Sequence, residues 1–230
     1  MEVQRPSAPT YGDLINQYLE LRRENPGVVI LFRIGSFYEA LFDDAELLAH
    51  ELGLKLSSRP SGGSADPVPQ CGFAHHAMES YLARLLARGY RVAVCEEEQE
   101  ERAAVRERKV VRTLTPGTVT DPHLLREDRA NYLAAICGEG DLLGLAWADA
   151  CTGEFQVAEC DAALAAAELS RLAPAELLHP AGTDSLSPLV NGYKGLALAP
   201  GEFDAHRAGE TFPTAQLKDL PLAAAAAGAV

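Results

Sequence analysis

A chain of 230 residues, 47% hydrophobic, suits one or two soluble globular domains. No apolar run reaches the ~18 residues of a membrane span, and the opening MEVQRPSAPTYGDL lacks the apolar stretch of a secretory signal. The net charge of −13 argues at first sight against a polyanionic partner, and five cysteines without a CxxC pair fit reduced thiols rather than a disulfide framework or zinc knuckle.

In chain order, Leu14, Tyr18 and Leu21 recur at helical spacing, with Ile15 and Leu19 filling the stripe, and predict a helix over 11–24 that Asn25-Pro26-Gly27 stops. VVILFR (28–33) reads as a buried strand. A second helix is predicted from Gly35-Ser36 to about Leu52, with Tyr38, Leu41, Phe42, Ala45, Leu48, Ala49 and Leu52 on its core face. LKLSSR (54–59) alternates like a strand, and RPSGGSADPVP (59–69) reads as a mobile turn-rich loop. A helix over 76–88, a strand over 90–97 and an extended VVRTLTPG complete a mixed α/β domain, 1–117, before a linker, 118–128.

The remainder, 129–230, opens with three short strands, NYLAAIC, LLGLAWADA and EFQVAEC, then a helix over 161–172 and a strand in AELLHP. A β-meander followed by helix and strand points to an RNase H-like architecture. The closing PLAAAAAGAV is helix-prone without a terminating signal, so the sequence is expected to stop inside an element, as a fragment would.

Charge is uneven: residues 1–120 hold 14 Lys and Arg against 17 Asp and Glu, and residues 121–230 hold 6 against 16. Arg102, Arg106, Arg108, Lys109 and Arg112 cluster in the first half. Phosphate neutralisation needs such cations, so any nucleic-acid contact belongs there and should be weak and salt-dependent. On the predicted helix, Phe37 falls off the core face; it either packs on a neighbouring loop or is displayed to a partner. Ser36-Phe37-Tyr38-Glu39 fits a capping box with Ser36 as helix cap, and Glu39 is equally open to a ligand contact.

LFRIGSFYEALFDDAELLAHELGLKLSSR resembles the mismatch-recognition segment of MutS proteins, with their Phe-x-Glu element at Phe37-Tyr38-Glu39. The likeness continues through CGFAHHAMESYLARLLARGYRVAVCEE, VVRTLTPGTVTD, RANYLAAI and DACTGEF, over about residues 11–180. It implies a mismatch-recognition domain followed by a truncated connector domain, and binding to double-stranded DNA with mismatches or small insertion/deletion loops. Phe37 would wedge beside the mispaired base from the minor groove, and Glu39 would hydrogen-bond the displaced base. Arg59, His76, Arg108, Lys109 and Arg112 are carried over as DNA contacts; a solvated loop or strand is the plainer reading of the four basic chains. Ser36 stands where the family has an acidic residue, and Ala74-His75-His76 where it has Pro-Tyr-His. The family further implies a MutL-type partner at the connector, dimers of the full-length protein, a cytoplasmic, nucleoid-associated location, and ATP and Mg²⁺ in full-length members. Lys55, Lys109, Lys194 and Lys218 all lack the G-x-x-x-x-G-K-[ST] context, so no catalysis and no cofactor are expected of this chain. Two alternatives accompany this reading: a metal-dependent RNase H-like nuclease using Asp149, Glu154 and Glu176, and a protein-docking module without DNA binding. Cys71, His75 and His76 are weighed as metal ligands and set aside.

Overall fold

The computed structural model describes residues 10–60, 67–97, 107–125, 129–211, 217 and 219–230. The chain divides into two units, Met1–Leu114 and Thr115–Val230. In the first, Thr10 opens α1 (Tyr11–Glu24) with a reciprocal capping box to Asp13. Leu14, Ile15, Tyr18 and Leu21 form its buried stripe. β1 (Val29–Ile34) then turns back antiparallel into β2 (Phe37–Leu41). The helix expected from Gly35 therefore begins later, as α2 (Asp43–Leu52).

The cause is local. Ile34 pairs with Phe37, leaving Gly35-Ser36 as a two-residue hairpin turn, and Gly35 takes the positive φ of 58° that such turns require. Ser36 consequently caps no helix; it is exposed in the turn, and its carbonyl accepts from the His75 N–H at 2.9 Å. Phe42, at φ 57°, separates the strand from α2.

The strand expected over 54–59 contracts to β3 (Ser57–Arg59). Val68 and Pro69, read as loop, open β4 (Val68–Ala74); residues 61–66 of that expected loop lie outside the described residues. A 3-10 turn over His75–Ala77 leads into α3 (Met78–Ala87), followed by β5 (Val92–Glu97) and β6 (Arg108–Leu114). The strands form a six-stranded sheet in the order β3-β4-β2-β1-β5-β6, with only β1 and β5 parallel. α1 buries its stripe against Ile30, Phe32, Leu41, Val68, Ala93 and Cys95 on one face. α3 lies on the other, where Tyr81 meets Phe73 at 4.5 Å between ring centroids.

In the second unit, β7 (Tyr132–Glu139), β8 (Leu142–Asp149) and β9 (Glu154–Cys160) form an antiparallel meander. β10 (Glu176–Pro180) joins β7 in parallel and β11 (Gly195–Leu198) joins β10 in parallel. The resulting order, β11-β10-β7-β8-β9, is the expected RNase H-like arrangement. α4 (Ala162–Leu172) and the short α5 (Ser187–Val190) close one face over Ile136, Leu145, Trp147 and Leu177. α6 (Ala205–Thr211) and α7 (Pro221–Ala229) close the other over Ala135, Cys137, Ala146 and Leu178. α7 approaches so closely that a Cβ at Gly144 would lie 2.2 Å from the Leu222 carbonyl. Its open N-terminus is capped from β9, where Glu159 accepts from the Leu222 and Ala223 amides at 2.7 and 3.1 Å. Thr115 and Gly117 donate to buried Glu176, and the Asn131 side chain donates to the Pro116 carbonyl at 3.0 Å, so 115–117 are fastened to this unit. No described helix is long and apolar enough to cross a membrane.

Candidate nucleic-acid interface

Strand alternation, not helical spacing, decides where the family's Phe-x-Glu element points. Successive side chains of a strand face opposite ways, with i and i+2 about 7 Å apart on one face. Leu41 belongs to the core beneath α1, so Glu39 and Phe37 share its face. Phe37, at the hairpin end, is 47% exposed; Glu39, one step inward, is 8% exposed. The aromatic is displayed, and the acid is sheltered behind it.

β4 supplies the shelter. Gln70, Gly72 and Ala74 pair with Leu41, Glu39 and Phe37 respectively. Gly72 makes room for the acid, since a Cβ there would lie 2.9 Å from Glu39 Cγ and 2.6 Å from the Tyr38 carbonyl oxygen. The Gln70 amide donates to Glu39 Oε2, and the Tyr11 hydroxyl, from the first turn of α1, donates to Gln70 Oε1 at 3.4 Å. Arg59 lies 5.4 Å over the Tyr11 ring. Burial pushes the Glu39 carboxyl above its ordinary range, while the Arg59 charge pulls it back. The site thus presents an exposed ring beside a sheltered carboxyl.

The other expected residues divide. Arg59 and His76 are exposed. His75 and His76 follow Ala74, the partner of Phe37, and stand edge-on at 5.9 Å, so they join the Phe37 end. Lys109 and Arg112 are exposed on β6, the far edge of the sheet, with β1 and β5 between them and Phe37. Arg108 requires correction. Its side chain is 4% exposed, pairs with Glu97 at 3.3 Å, donates to the Arg33 carbonyl at 2.6 Å and lies 5.1 Å over the Phe32 ring. Strand alternation turns it inward, so it braces the sheet and is not presented to a phosphate. Arg102 and Arg106 lie outside the described residues. Sequence reasoning missed Gln70, Gly72 and Tyr11; the alternation within VPQCGFA was the available signal.

Elsewhere, the carboxylates nominated for a nuclease are engaged separately. Asp149 accepts from the Asn131, Cys151 and Thr152 amides, Glu154 from the Tyr132 hydroxyl and the Gln156 amide, and Glu176 from Thr115 and Gly117. Among the described residues no three His, Cys, Asp or Glu gather as a metal site. Cys71 is buried on the face opposite Gln70, away from the exposed histidines.

Two family models match the chain in succession. The family models for MutS domain I and MutS domain II match residues 13–123 and 131–230. The chain is 40% identical over 204 residues to the DNA mismatch repair protein MutS of Pelotomaculum thermopropionicum, covering 82% of this chain and 23% of that protein. It is 41% identical over 208 residues to the protein of the same name from Dinoroseobacter shibae, covering 86% and 24%, and 37% identical over 233 residues to that of Symbiobacterium thermophilum, covering 93% and 27%. The chain therefore spans about a quarter of the length of these relatives.

Proposed function

As the chain belongs to the MutS family, we propose that its first unit recognises mispaired or unpaired bases in duplex DNA. Phe37 enters the base step from the minor groove, where an apolar wedge unstacks and kinks the duplex. A mispaired step is already poorly stacked, so deforming it costs less than deforming paired DNA, and that difference is the discrimination. Glu39 hydrogen-bonds the edge of the displaced base through a shared proton. Ionised, the same carboxyl is repelled by the phosphates, which penalises positions where no base edge compensates. Arg59 and His76, with Lys109 and Arg112 further along the sheet, supply phosphate contacts that carry affinity rather than selectivity.

The second unit acts as the connector that docks a MutL-type protein and relays the state of the DNA site. ATP and Mg²⁺ chemistry and dimer formation belong, on this reading, to the full-length family protein, and no catalytic step is assigned to this chain. The nuclease alternative draws no support, because its three carboxylates are each occupied by donors that hold turns and strands in place.

One observation carries the proposal: a phenylalanine 47% exposed at a strand end, with a sheltered acid on the same face. The test is competition of mispaired against paired duplexes for the 230-residue chain and its Phe37→Ala variant. Base–aromatic stacking is worth about 1–3 kcal/mol, so the preference should fall by about 5- to 150-fold. An unchanged ratio would refute the wedge.

A further inference from the structure

Glu39 is held in a particular way. Gln70 is 7% exposed and pairs across the strands with Leu41, yet its side chain reaches along the α1 face to Glu39 Oε2. An amide can be flipped, and here the ionised acid, which can only accept, draws Nε2 to itself; Oε1 then faces the Tyr11 hydroxyl, which donates to it at 3.4 Å. One carboxyl oxygen of Glu39 is then an obligate acceptor within the protein. With Oε2 so occupied, Oε1 is the oxygen left to carry a proton outward. Gly72 prevents the side chain from being pushed off this position, because the space beside its Cγ is that of the missing Cβ.

We infer that Gln70 is a positioning residue for mismatch discrimination: backed by the Tyr11 hydroxyl, its amide fixes one oxygen of Glu39 and directs the other to the displaced base. This rests on the reading of Glu39 given above. Gln70 acts through Glu39 and touches no DNA. A fixed carboxyl loses little freedom on meeting the base, and a held group binds more selectively than one that must first be ordered. The amide also stabilises the ionised acid, so it sets the pH at which the outward oxygen gives up its proton.

Among the described residues, the charged and titratable groups around Glu39 come from four elements. Tyr11 comes from α1, Arg59 from β3, and Arg108 from β6 over Phe32, the register partner of Glu39. His75 and His76 stand at the end of β4. The histidines act on paired and mispaired duplexes alike, so the ratio of the two affinities separates Glu39 from them.

That ratio is measured by fluorescence anisotropy on labelled mispaired and paired duplexes, at pH values spanning the carboxyl and imidazole ranges. The chains are wild type, Gln70→Leu, Tyr11→Phe and Glu39→Gln, each checked for folding by thermal melting. In wild type the ratio should fall as pH rises through the Glu39 titration, and in Glu39→Gln it should be flat. Gln70→Leu should lower the acid-side plateau roughly tenfold and move the midpoint to higher pH, with Tyr11→Phe shifting it the same way by less. A Gln70→Leu midpoint equal to wild type overturns the positioning role, even if the plateau drops, because a purely structural loss leaves the midpoint in place. A wild-type profile identical to that of Glu39→Gln would instead sink the underlying reading of Glu39.

Discussion

At the scale of single residues, sequence distance and spatial role are uncoupled. Phe37 and Glu39 are separated by one residue, yet one is a displayed ring and the other a buried acid. The difference arises because Gln70, 31 residues further on, closes over Glu39 while Phe37 overhangs the hairpin end. Burial that raises a carboxyl makes it a stability liability at neutral pH. With the folded pKa above the ordinary value, the folded state holds the proton more tightly than the unfolded chain. The contribution is therefore fully present below the ordinary carboxyl range and is lost as pH rises through the raised folded value. Glu39→Gln keeps an acceptor for Gln70 without the charge. In urea titrations it should be more stable than wild type at neutral pH, with the advantage vanishing in acid; equal stability at every pH would contradict the burial argument.

At the scale of elements, α1, β1, the meander and α4 were legible because each carries its own period and its own stop signal. The region from Gly35 to Leu52 was not, although it held the correct cue. Tyr38, Leu41 and Phe42 happen to continue the helical stripe of Ala45, Leu48 and Leu52 backwards, and that coincidence masked Gly35-Ser36 as a hairpin turn. β4 was hidden because Pro69 and Gly72 look like loop residues; pairing with β2 and β3 overrides that local preference. Alternation within VPQCGFA could have marked the strand, but not the cradle of Glu39, which exists only once three non-adjacent segments meet. In the second unit, close approach rather than period fixes α7. Gly144→Ala must displace the backbone of Leu222, and overpacking of this kind costs about 1–3 kcal/mol. A melting temperature unchanged by the substitution would show that α7 is not seated on β8 as described.

For the whole molecule, charge governs. A net of −13 opposes polyanion binding, so the cations of the first unit must be set against phosphates one by one. If the permanent charges of Arg59, Lys109 and Arg112 each neutralise one phosphate, log affinity for any duplex should fall against log salt with a slope of about −2.7. Phe37→Ala should leave that slope unaltered while removing selectivity; a changed slope would mean the ring also governs the phosphate contacts. Order of assembly is a separate matter at this scale. The cap on α7 comes from Glu159, more than 60 residues earlier in the chain, and a nine-residue helix is too short to persist alone in water. α7 must therefore condense after the meander, and contacts made that late weigh on the exit from the native state rather than on its formation. In stopped-flow experiments Glu159→Ala, which removes the acceptor, should accelerate unfolding while leaving the refolding limb of the chevron where it was; a slowed refolding limb would place α7 in the nucleus instead.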